Sequence, residues 1–382
     1  VNNLKKITIL ALHLGTGGAE NVIASLSNIL CKENDVEIIS TYKLQDKPAF
    51  DIDSRVKITY LMQDLKPNGM AFKKAVKSKN IIQVFRQGGI SCKVLYLRRK
   101  LMIQAIKKCD SDVIISTRVL HSNWLGKYGR KDAIKIAQEH NHHNGDAKII
   151  NNTVRSLKNI DYFMPVSEEL ADFYKDKVNA KTLYIPNCLD IYPDKVSELN
   201  NLNVISVGRL ETEKCFEDLI DLFKNIVDWN KDVKLRIAGN GSQKSFLEEK
   251  IKEASLEDNV ILTGNKNKKE LEELYLDSSL FVMTSRTESF GQVLVEAGSY
   301  GIPVLAYDTA QGAKEIIEND KNGFLIKNRN KEEMIEKTKE ILSNKELAKR
   351  LGRCGREKAS RYTKENIAKE WKKFLEDIYD KN

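Results

Sequence analysis

Short apolar runs that end in polar or glycine-rich residues recur along this chain, separated by stretches of helical spacing. In the first half they are Ile7–Leu12, Val36–Ser40, Val56–Leu61, Asp110–Thr117, the run that opens at Ile134, and Tyr162–Val166. In the second half, where helices run from after Gly323–Ile326 to the end, they are Asn203–Val207, Leu235–Ala238, Val260–Thr263 and Leu280–Thr284. Each has the length and apolar continuity of a strand buried on both faces. Between the first two, Val22, Leu26, Ile29 and Leu30 recur at helical spacing over Asn21–Cys31. Strands alternating with helices predict an α/β chain with parallel, doubly wound sheets. The alternation halts at Leu183–Asp190, where Pro186 and Pro193 bracket a boundary, and then restarts. A length of 382 residues suits two cores rather than one. The expected division is 1–186, 187–362 and a final helical segment, 363–382, with its helix over Thr363–Tyr379.

Composition narrows the class. With 41% hydrophobic and 31% charged residues the chain is globular rather than disordered. Its six cysteines form no C-x-x-C pair, which argues for a reducing compartment and against a disulfide framework or a zinc site. Ile7–Leu12 is too short to span a membrane and lacks a small-residue cleavage site, and no other stretch approaches twenty apolar residues. No transmembrane helix is expected.

Charge is concentrated in one place. From Lys66 to Lys108 there are twelve Lys and Arg and no Asp or Glu, so a chain of net charge +9 is −3 elsewhere. Val94, Leu97, Leu101 and Ala105 share one helical face there, with Lys93, Lys100 and Lys107 in line beside it; Lys73, Lys74, Arg98 and Arg99 add to the patch. Such a segment serves as a solvated face, a dock for an anionic membrane surface, or a site for an anionic acceptor. Aromatic interleaving is sparse and no nucleic-acid fold signature is present, so nucleic acid is not expected as a partner.

Candidate chemistry gathers at Glu288-Ser-Phe-Gly-Gln-Val-Leu-Val-Glu296. Leu280–Thr284 reads as a strand, Thr284–Ser289 as the loop at its carboxyl end, and Gly291 onward as a helix whose first N–H groups suit a phosphate. Glu296, about one and a half turns in, can hold a ribose diol by charge-assisted hydrogen bonds. Taken alone, two glutamates eight residues apart are also what a solvated helix carries. Gly17 and Gly18 follow the first strand and let backbone approach a ligand, but the loop lacks the dinucleotide spacing. Arg209 offers a rigid fork to phosphate and Lys214 a point charge. The D-x-D pairs Asp51/Asp53 and Asp110/Asp112 read as turn residues, because the second precedes its strand. His140, His142 and His143 lack the carboxylate or cysteine framework of a metal site.

These segments resemble the retaining GT-B glycosyltransferases of family 4, the glycosyl transferases group 1. In that family the donor segment runs E-x-F-G-x-x-x-x-E followed by G-x-P-V-x-A. Glu288, Phe290, Gly291, Glu296, Gly301, Pro303, Val304 and Ala306 match it. Gly17-Gly-Ala-Glu20 matches the family's first loop. Gly208–Ile220 matches its G-R-L-x-x-x-K-G segment with Cys215 in place of the second glycine, and Leu183–Asp190 its linker, with Cys188 for glycine. The resemblance implies two Rossmann-like domains facing a central crevice, with the acceptor held by the first, the donor by the second, and the last helix returning to the first. It implies a retaining sugar transfer from a nucleotide diphosphate sugar, UDP-sugar favoured, to a hydroxyl of a glycan or lipid-linked acceptor of the cell envelope. His140 and Glu288 would touch the transferred sugar. Gly17, Gly18, Arg209, Lys214, Asn265, Ser289, Phe290, Gly291, Gln292, Val293 and Glu296 would bind the donor. No cofactor and no metal are expected, and the site would work in the cytoplasm on the inner face of the membrane. A UDP-sugar epimerase of the same fold and a catalytically silent glycan- or partner-binding subunit are the alternatives.

Overall fold

The computed structural model describes residues 4–380 and divides into two compact units, Val1–Ile185 with Glu370–Asn382, and Pro186–Lys369. The first unit holds seven parallel strands: β1 (Lys6–Ala11), β2 (Asp35–Tyr42), β3 (Lys57–Met62), β4 (Val113–Ser116), β5 (Ile134–Glu139), β6 (Tyr162–Pro165) and β7 (Lys181–Thr182), in the order β3-β2-β1-β4-β5-β6-β7. The second holds six: β8 (Asn203–Val207), β9 (Lys234–Ala238), β10 (Val260–Gly264), β11 (Leu280–Met283), β12 (Val304–Tyr307) and β13 (Gly323–Ile326), in the order β10-β9-β8-β11-β12-β13. Every pairing is parallel. All the expected strands form; β7, β12 and β13 were not expected. β12 follows Gly-Ile-Pro, and the tight turn at Gly301 hides a four-residue strand.

The central strands are buried on both faces, which is why they read as continuous apolar runs rather than alternating ones. In the second unit Val204, Leu235, Ile237, Leu280, Val282 and Leu305 of the sheet pack with Leu219, Phe223 and Ile226 of the helix Phe216–Trp229 into one core. Strand order reverses once in each sheet, between β1 and β4 and between β8 and β11. Loops diverge at such a switch point and leave a crevice beyond the carboxyl ends of the strands, where open α/β sheets take their ligands.

The helix Lys364–Tyr379 gives its residues from Glu370 onward to the first unit. There Phe374 meets Tyr162 edge-on at 5.2 Å and Lys372 pairs with Glu33 at 3.0 Å. Asp110 and Asp112 tie β4 to the start of β1, Asp110 pairing with Lys6 at 2.6 Å and Asp112 accepting the Lys6 backbone N–H, whereas Asp53 clamps Arg55 locally at 2.8 Å.

The basic segment is two helices, Gly69–Lys77 and Ile81–Lys108. Val94 is buried, with Leu97 and Leu101 half-buried against Tyr42 and Met62. Met102 and Ile106 are buried, whereas Ala105 is half-buried. Arg98 departs from the expected patch: it lies half-buried on the sheet side, beside the Tyr42 hydroxyl, with its Nε shielded from solvent. It falls one residue past Leu97, which turns it toward the core rather than toward Lys93 and Lys100. Lys73, Lys74, Lys93, Arg99, Lys100 and Lys107 are exposed.

Candidate functional site

In the second unit the loops after β8 and β11 lie on either side of the switch point and are stitched together. The Arg286 backbone N–H donates to the Glu213 carbonyl at 2.8 Å, and Thr284 Oγ1 donates to the Cys215 carbonyl at 2.9 Å. Arg329 braces both from below. It donates to the Ser285 carbonyl at 3.3 Å, pairs with Asp218 at 2.6 Å, and lies over the Tyr307 ring. This scaffold sets Lys214 Nζ directly against Glu288 Oε2, an ion pair between residues 74 apart whose side chains are mostly shielded. The Glu288 carbonyl in turn accepts from the Gly312 N–H at 2.9 Å. Two residues singled out separately in the sequence thus form one charged pair. Arg209 is exposed and pairs with Glu213 at 3.1 Å, which leaves its fork free to exchange partners at little cost.

Cys215 stands where a glycine would and keeps a glycine-like backbone, φ 49 and ψ 44. This left-handed turn ends the Thr212–Lys214 helical turn and starts Phe216–Trp229. Its thiol is buried, and burial pushes it above the ordinary cysteine range.

Gly291 caps the helix Gln292–Ser299 at φ 90, a conformation that suits glycine. Its neighbours serve different ends. Phe290 is buried edge-on against Tyr362, so its ring packs the turn. Gln292 Nε2 donates to the Cys188 carbonyl at 3.2 Å, which ties the helix to the preceding linker. Val293 is half-buried. Glu296, also half-buried, accepts the Tyr275 hydroxyl at 3.2 Å, and Tyr275 stacks on Tyr300 at 5.0 Å. Burial pushes the Glu296 carboxyl up to about 7; the Tyr275 hydrogen bond opposes this and the Asp190 charge adds to it. A carboxylate held this way is short of hydrogen-bond donors, as a site for a polyol would be.

Beside this pair, the ends of β8, β9 and β10 line a cavity of about 210 Å³ with Gly208, Arg209, Gly239, Asn265, Lys266 and Leu271 among its walls. Gly239 makes it possible: at φ +145, a Cβ there would stand 1.9 Å from the Gly208 carbonyl oxygen. Asn265 and Arg209 therefore line the same cavity.

In the first unit the switch point holds a second polar cluster. Gly17 caps the helix Gly18–Leu30, and the Glu20 carboxylate folds back beneath it. Glu20 is buried and pairs with Arg118 at 2.7 Å and His13 at 3.6 Å. His140 follows β5, with its Nε2 buried and unbonded among the described residues. Burial, with the Arg118 charge added, pushes His140 down to about 4, so it is neutral at pH 7. Glu139 beside it is pushed up by burial, against hydrogen bonds from Asn141. His142 and His143 accept backbone N–H groups of Asn144 and Gly145 at 2.9 Å each. The sequence did not point to Tyr275, Arg329, Thr284 or Glu20's ion pairs. Only the polar exit of β11 hinted at Thr284; the others depend on contacts across the sheet order.

Residues 192–358 match the profile of the glycosyl transferases group 1. The likeness to the glycosyl transferases group 1 thus lies in the second unit. It is 27% identical to an uncharacterised glycosyltransferase of Haemophilus influenzae, over 97% of this chain and 100% of that one. It is 24% identical, over 98% of this chain and 99% of the other, to a Campylobacter jejuni enzyme. That enzyme is named as adding α-1,4-N-acetyl-D-galactosamine to a diphospho-undecaprenol-linked glycan. The solved structure of Anabaena HepE in complex with UDP-glucose superposes with a TM-score of 0.73 at 18% identity, covering 98% of this chain and 100% of that one. The fold is GT-B.

Proposed function

We propose that this chain is a group 1 glycosyltransferase that moves a sugar from a UDP-sugar to a hydroxyl of a glycan or lipid-linked acceptor, with retention of anomeric configuration and without a metal. The observation that carries this reading is the Lys214–Glu288 pair set at the β8/β11 switch point, just ahead of the helix that bears Glu296. Breaking the sugar–phosphate bond develops negative charge on the diphosphate. Lys214, Arg209 and the N–H groups after Gly291 are the donors placed to stabilise it. Glu296 takes the ribose hydroxyls, and Asn265 lies where the base would enter the cavity beneath Arg209. Once Lys214 turns to the phosphate, Glu288 is left to the sugar, where its charge favours the electron-poor anomeric carbon. In the first unit, neutral His140 suits a sugar hydroxyl, and the Gly17–Gly18 loop leaves backbone open to a ligand. The acceptor hydroxyl attacks on the face that the diphosphate leaves, and the departing phosphate oxygen takes its proton. No protein nucleophile is needed.

Two likenesses support the donor and the acceptor class: the HepE complex holds UDP-glucose, and the Campylobacter relative acts on a lipid-linked glycan. A lipid-linked acceptor would be met at the inner face of the cell membrane. Slow hydrolysis of UDP-glucose, with water as acceptor, tests the stereochemistry. Proton NMR is expected to show α-glucose released first; β-glucose first would contradict retention.

A further inference from the structure

The lysines of the basic segment enclose a feature that their count does not reveal. The helices Gly69–Lys77 and Ile81–Lys108 form an antiparallel hairpin. It is closed at its base by Asn68, whose Nδ2 donates to Gln87 and Ser91, and at its tip by Lys79 in a left-handed turn at φ 53. From Val76 through Lys93 no residue is buried, so this end of the hairpin stands clear of the core. Yet Ile81 is 71% exposed, Ile82 80% and Phe85 78%. Cys92 and Tyr96 continue this face at helical spacing, opposite the face that Val94 and Leu101 turn inward. Arg86, Lys93, Arg99 and Lys100 border it, and every one is exposed.

We infer that the first half of the helix Ile81–Lys108 lies in the interface of an anionic lipid bilayer, with Ile81, Ile82 and Phe85 in the acyl boundary and the surrounding lysines and arginines on the phosphates. Charge selects the occupant. A segment with twelve cations and no carboxylate repels a second copy of itself, and the cores of protein–protein interfaces are depleted in lysine. A lipid surface accepts both halves of the pattern: apolar side chains go down, and long cationic ones reach back to the headgroups. Among the described residues no helix is long and apolar enough to cross a membrane, so this attachment is to one leaflet. The inference rests on the reading that the acceptor is presented at a membrane, but it needs no nucleotide.

Co-sedimentation with vesicles of phosphatidylglycerol and phosphatidylcholine, against phosphatidylcholine alone, tests it. The full chain is expected to bind only the anionic vesicles. The double variant Ile82→Ser/Phe85→Ser is expected to bind them about tenfold or more weakly, with UDP affinity unchanged. In Phe85→Trp, the added tryptophan emission is expected to shift to the blue on anionic vesicles and not on neutral ones. Equal binding of the serine variant, an unshifted Phe85→Trp emission, or no binding of the wild type to anionic vesicles would each overturn the inference. So would a hairpin-dependent dimer by sedimentation velocity. Vesicle binding without UDP binding would strike the donor reading and leave this one standing.

Discussion

Glu296 carries the most informative titration in the molecule. Its carboxyl is raised from the ordinary 4.5 to about 7, with burial the leading cause. An acid raised in the folded state contributes stability that is fully present below about pH 4.5 and is lost as pH climbs through 7. Replacing it with glutamine removes that loss. Glu296→Gln is therefore expected to melt progressively higher than wild type between pH 5 and pH 8, by at most about 3 kcal/mol, as differential scanning calorimetry would show. Ribose hydroxyls that donate to the carboxylate would pull its titration down. UDP binding near pH 7 should then release a proton, seen as a binding enthalpy that changes with the ionisation enthalpy of the buffer. Lys214 is the second residue-scale test. In the proposed reaction its loss removes a donor to the leaving diphosphate, so Lys214→Ala is expected to lower kcat/KM for the donor about 100-fold, with the melting temperature little changed.

The elements that carry the site were legible where the pattern was local. The apolar run Leu280–Met283, its polar exit and the glycine that opens the next helix place Glu288 and Glu296 from sequence alone. Pairing across the sheet was not legible. Lys214 meets Glu288 because β8 and β11 are neighbours although two strands separate them in sequence, and Tyr275 meets Glu296 because the helices before and after β11 pack together. The basic helix shows the opposite failure. The periodicity of Val94, Leu97 and Leu101 drew attention to its packed half. The exposed Ile81, Ile82 and Phe85 have the same composition as a core face, and only the fold shows that nothing covers them. Two elements also depend on backbone that sequence alone does not disclose. Cys215 holds a left-handed turn despite its side chain. Gly239 brings the ends of β8 and β9 so close that Gly239→Ala is expected to destabilise the second unit by about 3 kcal/mol or more, read as a lower urea midpoint together with weakened UDP binding.

At the scale of the whole molecule, each unit has its own parallel sheet, its own core and its own switch point, and a polar cluster sits at each. The clusters differ in chemistry. In the first unit Glu20 and Arg118 neutralise one another beside a neutral His140, which suits uncharged sugar hydroxyls. The second offers Lys214 and Arg209 beside two carboxylates, which suits a diphosphate joined to a ribose. The excess of cations lies in the hairpin, whose Val94, Leu97 and Leu101 pack on Tyr42 and Met62 at the carboxyl ends of β2 and β3. The most direct test of the account is calorimetric titration of UDP into wild type and Glu296→Gln without divalent metal. The account predicts micromolar binding to wild type, weakened about tenfold by the substitution, near 1.4 kcal/mol. Equal affinity in both proteins, or no binding of UDP to wild type, would contradict it.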